Sequence, residues 1–180
     1  MRTSRTQWLD AGLHLLADEG YAALSIERLC QSRATTKGSF YHHFGSLNTY
    51  REALLERYRD VTTLSVIADL EALPPLTRLR SLLDMLAGHP AALERALRTW
   101  SRSDSRAAAF QEELDAQRSQ FVAAALEQGG MPPQQAVPWA LSLLWMFIGS
   151  QQVNLPSTPH TRRELFQMQL SLLEPLLERP

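Results

Sequence analysis

The sequence predicts an all-α protein of two helical domains, and three observations carry that expectation. Alanine and leucine supply 52 of 180 residues, whereas valine and isoleucine together supply only 8, a balance that favours helix over sheet. Apolar residues recur at three- and four-residue spacing in one segment after another. Between those segments fall the Gly, Pro and Ser/Thr signals that start and stop helices. With 44% hydrophobic residues the chain is long enough to bury a real core, which excludes disorder as its main state.

The elements follow in chain order. Trp8, Leu9, Gly12, Leu15 and Leu16 give the first helix one apolar stripe, and Gly20 suits a positive-φ terminus, so this helix ends near Glu19. Ser25 is an N-cap without a full capping box, opening a second helix of about two turns through Ile26, Leu29 and Cys30. After the polar stretch Gln31 to Thr35, Thr36 caps a third short helix through Lys37 to His42. Two short helices joined by a tight turn form a helix-turn-helix. Ser46 caps a long fourth helix whose apolar positions are Tyr50, Leu54, Tyr58, Val61, Leu64 and Ile67, and Pro74-Pro75 stops whatever continues from it. Further helices are expected at about 76 to 87, 90 to 100, 104 to 128, 133 to 152 and 161 to 178, with a loop from Asn154 to His160. Pro138 is expected in the first turn of its helix, and Pro175 is expected to bend or end the last one.

Charge alone excludes little. Eighteen Lys+Arg against 19 Asp+Glu leave a net charge of −1, so the whole-chain balance announces neither nucleic acid nor a membrane surface, and any such site must be local. Even residues 1 to 50 carry 5 basic and 4 acidic side chains. The lone Cys30 forms neither an internal disulfide nor a cysteine-based metal site, which suits a reducing compartment. Asp10, Asp18 and Glu19 within the first apolar pattern are wrong for a secretory leader. The longest apolar run, Val137 to Ile148, falls well short of the roughly 20 residues that cross a bilayer. The expectation is a soluble cytoplasmic protein without a membrane partner.

Thr35 to Phe44, reading Thr-Thr-Lys-Gly-Ser-Phe-Tyr-His-His-Phe, is the most informative segment. A helix N-terminus with open N–H groups, a lysine and hydroxyls in its first turn, and a Tyr-His-His cluster one turn later can face phosphates. Phe40 and Phe44 pack inward, leaving Lys37, Ser39, Tyr41 and His42 to a groove. His42-His43 is not read as a metal pair, because helical neighbours point about 100° apart and no carboxylate follows one turn on. The arginines at 95, 98, 102 and 106 read as a solvated face rather than a second nucleic-acid site. No His-Glu-x-x-His, Gly-x-Ser-x-Gly or phosphate-binding glycine loop occurs, so no enzyme, metal or cofactor is expected.

Through Arg5-Thr6-Gln7-Trp8-Leu9-Asp10-Ala11, Gly20-Tyr21, Ser25-Ile26 and above all Lys37-Gly38-Ser39-Phe40-Tyr41-His42-His43-Phe44, the first third of the chain resembles the TetR family of bacterial transcriptional regulators. The resemblance implies a three-helix DNA-binding domain over residues 1–46, with the helix-turn-helix at about 25–44, and a helical effector-binding and dimerisation domain over 47–180. It implies that Thr36, Lys37, Gly38 and Ser39 meet phosphates and base edges, that Tyr41 and His43 hold the backbone, that His42 reads sequence, and that Arg5 touches a phosphate from ahead of the first helix. A homodimer through the last two helices is expected, since the run Val137 to Ile148 is apolar all round and is joined by the stripe Leu165, Met168, Leu172 and Leu176. Two recognition helices roughly 34 to 36 Å apart would then meet a palindromic operator. By the same analogy the protein is a repressor released by a small apolar or amphipathic effector among the helices of 76–152, with Met85, Trp100, Phe121, Trp145 and Met146 as candidate lining residues.

Three positions depart from the family pattern. Ala34 replaces the usual glycine of the helix-helix turn, Gly12 replaces an alanine of the first helix, and Leu47 replaces the lysine at the start of the fourth helix, a phosphate contact that Arg33 or Arg51 would have to offset. Two rival readings follow: a helical protein-interaction adaptor with a vestigial helix-turn-helix, and a DNA-binding regulator that needs no ligand.

Overall fold

The computed structural model describes residues 4–153 and 161–177. Among them lie ten α-helices: α1 (Arg5–Glu19), α2 (Ile26–Ser32), α3 (Lys37–Phe44), α4 (Leu47–Arg59), α5 (Ser65–Leu70), α6 (Pro75–Gly88), α7 (Ala91–Ser101), α8 (Ser105–Gln128), α9 (Pro133–Gln152) and α10 (Arg162–Leu177). None of the described helices is long and apolar enough to cross a membrane. The loop expected at Asn154 to His160 lies outside the described residues.

Local capping sets the boundaries of the first four helices. The Ser25, Thr36 and Ser46 hydroxyls accept the backbone N–H groups of Arg28, Ser39 and Thr49, as the sequence predicts. Ser4 and Gln7 add a capping box at α1, so Arg5 is the first residue of that helix and not a residue ahead of it. Gly20, at φ 80°, closes α1 through its N–H to the Leu16 carbonyl at 3.1 Å.

The long helix expected after Ser46 is interrupted. Residues Asp60–Leu64 form a π-helical turn between α4 and α5, where the β-branched run Val61, Thr62 and Thr63 weakens α-helical preference. The Thr62 hydroxyl donates to the Tyr58 carbonyl at 2.8 Å, serving a backbone group in the last turn of α4. A second correction concerns Pro138. Pro133 takes the first position of α9, so Pro138 falls inside the helix, leaving the carbonyl of the exposed Gln134 to water. Of the two outcomes expected at Pro175, a bend or an end, the helix does not end there: α10 runs through it to Leu177.

The α2–α3 turn depends on Ala34, which sits at φ 48°. Its N–H bonds the Gln31 carbonyl at 3.2 Å and the Thr35 N–H bonds the Cys30 carbonyl at 3.0 Å, the paired bonds of a Schellman closure. The turn therefore keeps a glycine-type geometry with an alanine in it. Replacing Ala34 by glycine relieves the left-handed strain and partly offsets that gain by loosening the unfolded chain. The expected net result is a stabilisation of about 0.5–1 kcal/mol, read as a higher urea midpoint. A lowered midpoint would show that the turn tolerates the Cβ without strain.

The helices pack as two units. One runs up to Thr63 and resumes over Pro90–Glu112; the other comprises Leu64–His89 and the chain from Glu113 onward. By packing, α4, α7 and the start of α8 therefore group with α1 to α3, beyond the boundary expected at 46/47. The core of the first unit is aromatic: Trp8, Phe40, Tyr50 and Tyr58 are essentially inaccessible. Trp8 meets Phe40 edge-on at 5.6 Å, and Tyr50 lies 4.9 Å from Phe44. Within the same unit Glu94 is 1% exposed. Tyr58 donates to one of its oxygens at 2.5 Å, and Arg98 pairs with the other at 2.8 Å. Arg98 is thus a partner of a buried carboxylate rather than a member of a wholly solvated stripe.

In the second unit the apolar core draws on α5, α6, α8, α9 and α10, including Leu79, Leu83, Leu126, Phe147, Phe166 and Leu173. The buried Arg78 donates to the Glu71 and Leu73 carbonyls at 2.6 and 3.0 Å and to Gln128 at 3.0 Å, closing the chain just beyond α5.

Candidate nucleic-acid interface

The sequence of α3 separates two faces. Phe40 and Phe44, one turn apart, are buried, and their burial turns the other side outward. Lys37, Gly38 and His42 are exposed, Tyr41 is 50% exposed, and Ser39 and His43 are half-buried. Thr36 precedes them as the cap, its hydroxyl oxygen accepting the Ser39 N–H at 3.3 Å. Seven of the eight residues expected to contact DNA thus lie on or immediately before one short helix.

Packing does not require glycine at position 38. A Cβ there would meet nothing nearer than the Thr36 hydroxyl at 3.8 Å, which leaves the outer surface open beside the first N–H groups of α3, unmatched within the helix. His42 and His43 meet edge-on at 5.3 Å, and His43 also contacts the Phe44 ring. The eighth residue, Arg5, is held over the Phe44 ring at 5.3 Å, which ties its guanidinium to the C-terminal end of α3.

The cations around this face are less available than their number suggests. Arg51 lies over the Tyr21 ring at 4.8 Å and donates to the Leu24 carbonyl at 3.4 Å, so it is committed within its own unit and does not replace the lysine missing at Leu47. Arg28 forks onto Glu19. Lys37 is paired with Glu27, in the first turn of α2. That hydrogen bond holds the Glu27 carboxyl below the usual carboxylate range and raises the Lys37 ammonium. Sequence reasoning missed Glu27, because two residues ten positions apart in separate helices share no periodic signal. Cys30 is buried, and desolvation pushes its thiol upward, as suits a small core residue.

The five candidate effector-lining residues are divided between the two units. Trp100 is in the core of the first unit, stacked on Tyr21 at 4.8 Å. Phe121 and Met146 border the core of the second, while Met85 and Trp145 are exposed. A groove of about 300 Å³ between α6 and α10 is lined by other residues, among them Arg80, Leu83, Asp84, Phe166, Leu170 and Glu174.

Residues 9–57 match the model of the family described as bacterial regulatory proteins, tetR family. Over 74 residues the chain is 34% identical to the transcriptional regulator AcuR of Cereibacter sphaeroides, a match covering 39% of this chain and 33% of that protein. The matches span only about a third of the curated relatives. The fold is also that of a transcriptional regulator from Saccharomonospora viridis solved with choline, at TM-score 0.76 and 17% identity over 93% of each chain. It is similar as well to AibR solved with isovaleryl coenzyme A and operator DNA, at TM-score 0.69 and 19% identity over 96% of this chain and 98% of that one. The matched family is one of bacterial regulatory proteins, and both relatives are named as transcriptional regulators.

Proposed function

We propose that the chain is a member of the family of bacterial regulatory proteins, tetR family, whose model matches residues 9–57, and that it is a homodimeric cytoplasmic repressor that reads a palindromic operator with α3. In this reading residues 1–46 supply the DNA-binding surface and the remaining helices supply dimerisation and effector binding. A small apolar or amphipathic molecule bound among the helices of residues 76–152 then releases the DNA by favouring a second dimer shape. The observation that carries the DNA assignment is α3 itself, whose inner face is fixed by buried Phe40 and Phe44 while Lys37, Gly38, Tyr41 and His42 face outward. The AibR complex, a fold neighbour holding both an acyl coenzyme A and operator DNA, supports both halves of the reading.

A mobility-shift titration on the DNA flanking its own gene tests it. Lys37→Ala and Tyr41→Ala should each weaken binding about tenfold, and two variants that bind like wild type would remove α3 as the recognition helix. For His42→Ala the expected result is altered base preference with a smaller loss on unrelated duplex. Equal losses on every sequence would make His42 a phosphate contact.

A further inference from the structure

We infer that Glu27 is an internal rival of DNA phosphate for Lys37, so that α3 engages a duplex only as the Lys37 ammonium exchanges a carboxylate for a phosphate. The inference rests on the reading of α3 as the DNA-facing element. Three observations carry it. The Lys37 ammonium bonds Glu27 across the α2–α3 turn, with both side chains exposed, at 58% and 68%. The pair therefore lies on the same outward surface as Gly38 and Tyr41 and is open to a competing anion.

The second observation is compositional. Lys37 is the only lysine among 180 residues, every other cationic side chain apart from histidine being arginine. Arginine locks a carboxylate with a planar fork, as Arg28 does with Glu19, whereas an ammonium is a compact charge that changes partners readily. The one residue placed to switch partners is the one lysine. Third, two of the arginines nearby are committed: Arg51 to Tyr21 and Leu24, Arg28 to Glu19. Lys37 is thus the main ammonium or guanidinium that α3 itself brings to a phosphate, and Glu27 controls how much of it is available.

Exposed pairs are weak, so the exchange is expected to modulate affinity without abolishing it. Glu27→Gln in the full chain should tighten binding about threefold to tenfold, both to the duplex flanking its own gene and to an unrelated duplex of equal length. It should also steepen the log–log salt slope by up to roughly 0.9. Because Glu27 acts through Lys37, the gain should shrink below about twofold when Glu27→Gln is made in the Lys37→Ala background. Lys37→Arg, which Glu27 would hold more firmly, should bind less tightly than wild type and recover once Glu27→Gln is added. If Lys37→Ala weakens binding while Glu27→Gln changes nothing, the exchange is overturned and the DNA assignment of α3 survives. A Glu27→Gln gain that persists undiminished without Lys37 also overturns it, making Glu27 a general repulsive charge. If neither wild type nor Glu27→Gln binds either duplex at low salt, the reading of α3 fails and this inference fails with it.

Discussion

Gly12→Ala is expected to destabilise the N-terminal unit by more than about 3 kcal/mol, although alanine is the better helix former by roughly 0.5–1 kcal/mol. The decision lies in packing. A Cβ at position 12 would stand 1.8 Å from the Tyr50 hydroxyl and 3.0 Å from both the Tyr50 ring and Leu54. Tyr50 has nowhere to go: it is fully buried, its hydroxyl donates to the Trp8 carbonyl at 3.0 Å, and its ring is 5.3 Å from Phe40 and 4.9 Å from Phe44. Relief would require moving α4 away from α1 or breaking that aromatic cluster, and both forfeit buried contact. The fold thus accepts a poor helix residue in exchange for a close approach of two helices. Urea denaturation of Gly12→Ala should show a large fall in midpoint, and the double variant Gly12→Ala/Tyr50→Phe should recover at least about 1 kcal/mol although Tyr50→Phe alone costs about that much. A Gly12→Ala protein as stable as wild type would sink this account.

The helix boundaries were legible because caps are local. Ser25, Thr36 and Ser46 act through N–H groups three residues away, and a spacing of three is visible in a string of letters. The Ser4–Gln7 capping box at α1, not read from the sequence, acts over the same spacing. What the string concealed is non-local. Gly12 reads as a weak helix residue until Tyr50, far along the chain, is seen beside it. Nothing in the letters around Ala34 says that an alanine takes φ 48°; the bond from Thr35 to the Cys30 carbonyl defines that turn. The arginine at 98 reads as a solvated cation, whereas it pairs with the buried Glu94; Arg106, paired with Glu52, keeps its 65% exposed side chain in solvent as expected. On α3 the inward and outward faces follow from Phe40 and Phe44, so the candidate contacts were readable residue by residue, while the pairing of Lys37 with Glu27 was not. Residue type and family analogy do not distinguish Trp100 in a core from Trp145 on a surface.

On the proposed homodimer reading, Trp145→Glu is expected to give a monomer and to lower operator affinity by at least about a hundredfold. The expectation starts from the two faces of α9 and α10. Ala140, Leu143 and Phe147 of α9 and Phe166, Leu170 and Leu173 of α10 enter the core of their unit. Trp139, Met146, Ile148 and Leu176 pack partly against that core, whereas Trp145 is 68% exposed, Val137 47%, Met168 53% and Leu172 55%. Large apolar groups left in water on two helices of one unit mark a surface that associates, and a self-complementary two-fold interface presents each residue twice. A buried interfacial tryptophan is commonly worth about 2 kcal/mol or more, so losing both copies removes about 4 kcal/mol, which turns a nanomolar dimer into a micromolar one. Each monomer then holds a half-site without the effective concentration its partner supplied. Because Trp145 makes little contact within the protomer, the thermal melt of the variant should differ from wild type only through the lost association. Sedimentation velocity and a mobility shift, run at the same protein concentration, check both parts. A Trp145→Glu protein that remains dimeric with unchanged operator affinity removes α9 from the interface; a wild-type chain that is monomeric and binds no DNA favours an adaptor that offers this face to a different protein.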